Sequence, residues 1–197
     1  MSERDVYHEP PTRVLLRTAD AYQTESMDEV AGYSEQLLSI VADYRNGGRP
    51  EGFNAQAMVG KSKRGEVAFR LFARVNPVTR VIEAAGFKTR GCLAMTGCAS
   101  VTCTLVEGRT LQEALALTTD EVRAAVGGVP AGRANTLAFS VEAVRALVGD
   151  FLVREGAGLE ELDAMVPCDL YGVDCLMCEH CSLRDTRNDM LMKLLED

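Results

Sequence analysis

The sequence predicts an α+β fold in which a small antiparallel three-stranded sheet carries helices packed on one face. Residues 65–75 alternate inward and outward side chains with the two-residue period of a half-buried strand. After Cys92 the side chains become small and apolar, as in a buried helix. Residues 140–155 repeat apolar side chains along one helical face. Laying helices on one face of such a sheet buries both, and this arrangement defines the class.

The first half of the chain predicts one helix followed by the sheet. Residues 33–44 keep the spacing of a single apolar face, and the glycines and proline of residues 45–52 end that helix. Residues 55–60 form a candidate first strand. Residues 65–89 form a candidate hairpin, because two strand-like runs flank the turn sequence NPVT.

The second half predicts helices only. A buried helix follows Cys92 and ends at Gly108, a residue type that commonly terminates helices. Residues 140–155 form the clearest amphipathic helix, and residues 159–165 form a short one. The closing helix begins at Ser182, which we expect to cap it.

Two threonine–glutamate pairs predict helix starts between the buried helix and the amphipathic one. Thr110 is followed three residues later by Glu113, and Thr118 by Glu121. In such a capping box the threonine hydroxyl and the glutamate carboxylate each accept a backbone N–H that the helix leaves free.

The charge of the chain excludes several classes of partner. The 197 residues include 21 basic and 29 acidic ones, for a net charge of −8, and residues 155–197 carry eleven acids against three bases. Nucleic acid and anionic membranes attract the opposite charge, so we expect neither as a partner. No apolar run approaches the roughly 20 residues of a membrane span. The polar first residues lack the apolar stretch of an export signal, so we expect a cytoplasmic protein.

Seven cysteines indicate metal or thiol chemistry. They stand at positions 92, 98, 103, 168, 175, 178 and 181. Because the number is odd and the expected compartment is reducing, a disulfide framework is not predicted.

The C-terminal cysteines have the spacing of a cluster-binding segment. Cys175, Cys178 and Cys181 form an overlapping C-x2-C-x2-C run, which bacterial ferredoxins use for three ligands of a [4Fe–4S] cluster. Cys168 supplies the fourth thiolate in this interpretation. Zinc sites use two separated pairs, so an iron–sulfur cluster is favoured over zinc. Unligated thiols in an acidic tail are the structural alternative, and His180 is expected to be a bystander.

Several short motifs, in the right order, resemble a known family. They are FKTRGC at residues 87–92, the Gly108–Arg109 pair before LQEALAL, YSEQLL from Tyr33 and VEAVRALVGDF near residue 150. Together they resemble the U-type iron–sulfur cluster assembly scaffolds, the IscU-like proteins and NifU N-terminal domains. The resemblance covers residues 33–155, leaving 1–32 as an N-terminal extension and 156–197 as an acidic, cysteine-rich C-terminal extension.

The resemblance implies a cluster site of three cysteines and one acid, and this chain departs from it. Cys92 matches the second cysteine and Glu66 the acid. Arg64 replaces the first cysteine and Thr136 the third. An arginine has no electron pair to donate and a threonine hydroxyl stays neutral, whereas cluster iron prefers thiolate. Cys92 alone would not hold a cluster, so the fold carries over and the ligand set does not.

We expect different roles for the three cysteines at and within the buried helix. Cys98 and Cys103 are interpreted as small apolar filler in a packed helix. Cys92 lies at a strand-to-helix junction, where a helix N-terminus lowers a thiol pKa, so both a reactive thiolate and simple packing remain open for it.

Two functional hypotheses follow. In the first, the protein is a scaffold or carrier in iron–sulfur cluster assembly rather than an enzyme, with its ligands relocated to the C-terminal cysteines. The resemblance then implies a cysteine desulfurase and apo iron–sulfur proteins as partners. In the second, it is a binding or adaptor module of the same fold with structural zinc or a redox [4Fe–4S] site. A further alternative is sulfur relay through Cys92.

Overall fold

The computed structural model describes residues 32–61, 67–168 and 181–196, so nearly all of the predicted N-terminal extension lies outside them. The described strands are β1 (Ala55–Lys61), β2 (Val67–Val75) and β3 (Ile82–Thr89). The described helices are α1 (Glu35–Ala42), α2 (Leu93–Val106), α3 (Leu111–Leu115), α4 (Thr119–Ala125), α5 (Asn135–Arg154), α6 (Leu159–Met165) and α7 (Ser182–Glu196), with a 3-10 turn at Ala131–Arg133.

The three strands form one antiparallel sheet in the order β1-β2-β3. Leu71 in the central strand stands opposite Ala57 on one side and Phe87 on the other, and all three are buried. The helices α2 and α5 lie against this inner face. The predicted α+β class, with helices on one face of a three-stranded sheet, is therefore confirmed.

Helix α2 is buried along almost its whole length, as its small side chains predicted. The absence of a side chain at Gly97 lets α1 approach closely, because a Cβ built there would lie 3.1 Å from Leu37 Cγ. The buried hydroxyl of Thr102 donates to the carbonyl oxygen of Cys98 at 2.7 Å, so its polarity is satisfied within the helix. Gly108, with a φ of 79°, then turns the chain out of the helix.

Helix α5 begins at Asn135, five residues before the predicted start at 140. The pattern concealed this first turn because Thr136 is polar and yet buried, as is Ser140 one turn later. Thr136 Oγ1 donates to Arg133 O at 2.7 Å and Ser140 Oγ donates to Thr136 O at 3.0 Å. Both hydroxyls are thereby satisfied by the backbone, which allows them to face the core.

The two capping boxes are formed as predicted. The backbone N–H of Glu113 donates to Thr110 Oγ1, and that of Glu121 donates to Thr118 Oγ1. Each glutamate carboxylate accepts the threonine backbone N–H in return at 2.8 Å, which lowers the pKa of both carboxyls. These caps fix the starts of α3 and α4.

The C-terminal helices pack onto the domain. Leu162 of α6 and Leu183 of α7 are buried in the same core as the sheet. A Cβ built on Gly149 of α5 would overlap Leu183 Cδ1, so α7 needs a glycine there to seat its leucine. Arg187 is almost wholly buried, and its Nε donates to Asp163 Oδ1 at 2.6 Å.

Candidate functional site

The first candidate site lies where β3 runs into α2 and where α5 begins; we call it the junction site and define it by Cys92, Cys98 and Thr136. Cys92 is the residue that precedes the first turn of α2. Its backbone is extended, its thiol is half-buried, and its side chain makes no capping hydrogen bond. The predicted strand-to-helix position of Cys92 is thus confirmed.

Thr136, at the third-cysteine position, contacts a thiol from another helix. Its Oγ1 lies 3.5 Å from Cys98 Sγ. Because the single hydroxyl proton of Thr136 goes to Arg133 O, the Cys98 thiol must be the donor in this contact. Burial raises the pKa of Cys98 to about 11, which is consistent with a protonated thiol at neutral pH.

The donor set of the junction site therefore does not fit a cluster. Thr136 offers a neutral oxygen, and Cys98 offers a protonated sulfur that is fully buried. Cys103, further along α2, is also buried, and burial raises its pKa well above the ordinary value. Both cysteines fill the core, as the sequence indicated. Arg64 and Glu66, at the positions of the family's first cysteine and acid, lie outside the described residues.

The approach of Cys98 to Thr136 was not predicted from the sequence. Helical spacing describes each helix separately, whereas this contact joins two helices across 38 positions of the chain. A signal that could have indicated it is the polar pair Thr136 and Ser140 in an otherwise apolar run, since buried hydroxyls need partners.

The second candidate site is the C-terminal thiol site, defined by Cys168 and Cys181. Both thiols are free and half-buried. Cys181 pairs with Val59 of β1 through an isolated antiparallel β-bridge of the backbone. The hydroxyl of the next residue, Ser182, accepts a hydrogen bond from the Met58 backbone N–H at 3.0 Å. Cys175 and Cys178, predicted as the other ligands, lie outside the described residues.

Cys181 holds the position that precedes α7. The Asp185 N–H donates to Cys181 O at 3.3 Å, and the Cys181 sulfur accepts hydrogen bonds from the backbone N–H groups of Leu183 and Arg184. The expectation that Ser182 caps this helix is therefore wrong. Its hydroxyl instead satisfies an N–H on the outer edge of β1, which the sequence pattern of α7 does not reveal.

Electrostatics link Cys181 to Glu142 on α5 and to Cys168, which follows α6. Burial raises the pKa of Cys181, and the nearby charges of Glu142 and Cys168 raise it further, while the α7 N–H groups oppose this. Burial also raises the pKa of Glu142, against the attraction of Arg145, whose Nη1 is 3.8 Å away. Arg145 also donates to the carbonyl oxygen of Pro167, next to Cys168. Helix α5 thus contacts the residue before Cys168 through Arg145, and it raises the pKa of Cys181 through Glu142.

The described residues do not by themselves complete a metal site. Within residues 32–61, 67–168 and 181–196, no group of three or more histidine, cysteine, aspartate or glutamate side chains is arranged to hold a metal ion. A centre at Cys168 and Cys181 therefore needs further ligands. Among the same residues, no helix is both long enough and apolar enough to cross a bilayer.

A three-stranded antiparallel sheet backed by helices, with a cysteine where its last strand enters a buried helix, defines a U-type scaffold domain. The chain belongs to the NifU-like N terminal domain family, which matches residues 32–157. This match confirms the resemblance recognised over residues 33–155.

Two named sequence relatives, IscU and NifU, agree with the family. The chain is 29% identical over 136 residues to the iron-sulfur cluster assembly scaffold protein IscU of Aquifex aeolicus (strain VF5), covering 69% of this chain and 85% of that one. It is 28% identical over 165 residues to the nitrogen fixation protein NifU of Azotobacter chroococcum mcd 1, covering 84% of this chain and about half (51%) of that longer protein. A crystal structure of a nitrogen-fixing NifU-like protein (N-terminal) from Brucella abortus aligns with a TM-score of 0.46 at 15% identity, covering 63% of this chain and 95% of that one.

Proposed function

We propose that this protein is a scaffold or carrier in iron–sulfur cluster assembly. Membership of the NifU-like family supports this function, as do the names of its relatives, an assembly scaffold and a nitrogen fixation protein. In this function the cluster is cargo that is received and handed on. The partners that we propose are a cysteine desulfurase and apo iron–sulfur proteins.

We propose further that the cargo binds at the C-terminal thiol site and not at the junction site. One observation supports this choice: Cys168 and Cys181 are free thiols close enough to influence each other electrostatically, and both are held against the scaffold domain. Cys175 and Cys178 complete the proposed ligand set, with the spacing of a [4Fe–4S] segment. Thiolate is the ligand type that cluster iron prefers.

We propose a cytoplasmic location from the cysteine content of the sequence. The number of cysteines, seven, is odd and does not indicate the disulfide framework of an exported protein.

Anaerobic reconstitution tests the ligand assignment. Wild type and the variants Cys168→Ser/Cys181→Ser, Cys92→Ser and Cys98→Ser are supplied with iron and sulfide, and absorbance near about 400 nm is read. We expect the double variant to lose the chromophore and the other two to keep it, with Cys98→Ser as the matched control for a buried thiol. Transfer to an apo-ferredoxin then tests carriage. A colourless wild type that carries one zinc would support the adaptor alternative instead.

Sulfur relay through Cys92 is a second candidate function. It is favoured because Cys92 stands at the N-terminus of α2 with a half-buried thiol that makes no capping bond. In such a relay the Cys92 thiolate attacks the outer sulfur of a desulfurase persulfide. The desulfurase S–S bond breaks, its cysteine leaves as a thiolate, and Cys92 becomes the persulfide. Mass spectrometry after incubation with a desulfurase should find one added sulfur at Cys92 and none at Cys98, and an unmodified Cys92 would remove this candidate.

A further inference from the structure

A row of exposed side chains crosses the outer face of the sheet, opposite to the helices. Arg70 of β2 stands directly between Met58 of β1 and Lys88 of β3 in the strand register. All three are exposed, Met58 to 36%. We call Met58, Arg70 and Lys88 the basic row. It combines two positive charges with one apolar side chain on a flat surface.

The neighbouring part of the same face is closed by the chain between α1 and β1. A Cβ built on Gly86 would lie 2.6 Å from Gly48 O, so this segment rests on the sheet there. The guanidinium of Arg49 lies 5.0 Å above the ring of Phe72, which is buried. The outer face is therefore covered over the pair Phe72 and Gly86 and open over the next pair, which is Arg70 and Lys88.

The charges of the basic row do not serve the stability of the sheet. Like charges on directly opposite strand positions repel by roughly 0.2–1 kcal/mol. Elsewhere on the sheet Arg74 is neutralised by Glu83 at 3.1 Å. Among the described residues neither Arg70 nor Lys88 has a carboxylate within ion-pair distance. Two adjacent cations that have no ion-pair partner within the described part of an otherwise acidic chain indicate a surface that an anionic partner neutralises.

The basic row lies close to the C-terminal thiol site. The backbone N–H of Met58 donates to Ser182 Oγ at 3.0 Å, and the next residue of β1, Val59, forms an isolated antiparallel β-bridge with Cys181. A protein that docks on the basic row therefore lies beside one of the thiols at which we propose that the cargo binds.

We propose that the basic row is the docking surface for an acidic apo-protein that receives the cargo, a proposal that rests on the scaffold function proposed above. The net charge of the chain repels an acidic partner, so a local positive surface is needed to orient it. Nucleic acid would demand basic residues over a longer track than two side chains provide. The chemistry of the basic row thus selects a partner with a few carboxylates around an apolar contact for Met58.

Charge reversal tests the docking proposal on the full chain. The variant Arg70→Glu/Lys88→Glu is compared with Arg123→Glu/Lys193→Glu, which makes the same change in net charge at exposed positions on α4 and α7. The dissociation constant for an acidic apo-[2Fe–2S] ferredoxin is measured by calorimetry at low and high salt. We expect binding to weaken at least tenfold in the basic-row variant and less than twofold in the control. Wild-type binding should weaken as salt rises.

Three results would overturn the docking proposal: equal binding by the basic-row variant and wild type, an equal loss in both variants, or selective loss of binding to a short single-stranded DNA. The neutral variant Arg70→Gln/Lys88→Gln, checked by thermal melting, gives the same readout without introduced repulsion. Cluster loading is measured in parallel and should not differ between the basic-row variant and wild type. Wild type that carries no cluster would refute the scaffold function, while the calorimetry would still report on docking.

Discussion

The hydroxyl of Thr136 is the side-chain partner of the buried Cys98 thiol. The Thr136 hydroxyl donates to Arg133 O and lies 3.5 Å from Cys98 Sγ, so it gives the buried thiol a polar partner. A thiol at 136 would instead place two sulfurs in contact at the entrance of α5. Burial keeps the Cys98 thiol protonated by raising its pKa, while the contact with Thr136 acts in the opposite direction and lowers that pKa.

This arrangement predicts a pH-dependent stability that can be assigned to Cys98. Burial raises its pKa from 9.0 to about 11, so its contribution is complete below pH 9 and is lost as the pH rises toward 11. Between pH 8 and pH 10 the wild type should lose about 1 kcal/mol more unfolding free energy than Cys98→Ser, which keeps a donor for Thr136. Urea unfolding at both pH values measures this difference.

Thr136→Val is the second variant of the Cys98 experiment. It removes the acceptor and leaves the thiol buried without a partner, so its stability at pH 8 should fall by about 1–3 kcal/mol. Parallel pH profiles for wild type and Cys98→Ser would contradict a protonated, buried Cys98.

Single residues were predictable from the sequence where the chemistry is local. The position of Cys92 was predicted correctly because a strand, a glycine, this cysteine and a helix follow one another directly along the chain. The capping threonines Thr110 and Thr118 were identified from a three-residue spacing. The Cys98–Thr136 contact was missed because it depends on how two distant helices pack.

At the scale of elements, α7 serves both the core and the sheet edge. Leu183 enters the space left by Gly149 on α5, while Ser182 accepts the Met58 N–H on the outer edge of β1. The Gln56 N–H on the same edge donates to Asp150 Oδ2 at 2.8 Å. An unpaired strand edge is a template for aggregation, and here α5 and α7 satisfy it together.

The seating of α7 is tested by a double-mutant cycle. Gly149→Ala should destabilise the protein by about 1–3 kcal/mol, because the new methyl group overlaps Leu183. In the background of Leu183→Ala, which leaves room for that methyl group, the same change should cost far less. Equilibrium unfolding of the four proteins gives the coupling energy. Additive effects would show that the two residues do not contact each other.

Elements were predictable from periodicity, but their ends were predictable only in part. The alternation of β2 and the turn into β3 gave the hairpin, and the small residues of α2 gave a buried helix. The start of α5 was missed because its first turn buries the polar side chain of Thr136. The cap of α7 was assigned to Ser182 because a sequence does not show that a neighbouring strand edge competes for that hydroxyl.

At the scale of the whole molecule, the acidic extension packs onto the scaffold domain because some of its side chains are buried in the common core. Val166 lies in the common core, and the carbonyl of the same residue accepts a hydrogen bond from the buried Arg187. The sequence predicted an acidic extension over residues 156–197, and its charge did not indicate which of its side chains are buried. The acidic side chains that the structure describes lie on the solvent-facing side of helices α6 and α7. The buried side needs only a few apolar residues, and the overall composition of the segment does not show that they are there.

Removing the extension therefore tests its structural role apart from its thiols. A chain that ends at residue 157 loses the buried side chains of Leu162, Val166 and Leu183, worth about 5 kcal/mol together. It also uncovers the Met58 N–H on the edge of β1. We expect a melting temperature lower by 10 °C or more, given roughly 2–4 °C per kcal/mol for a chain of this size. Light scattering after size exclusion should show dimers or larger species.

The matched control is the full-length chain with serine at positions 168, 175, 178 and 181, which keeps α7 and lacks the four thiols. It should melt within a few degrees of the wild type, stay monomeric wherever the wild type does, and bind no cluster. Because the contacts of Leu183, Ser182 and Arg187 use no sulfur, packing and ligation are separable in this protein. A shortened chain as stable and monodisperse as the wild type would refute a structural role for the extension. A quadruple variant that unfolds would show instead that the thiols hold α7 in place.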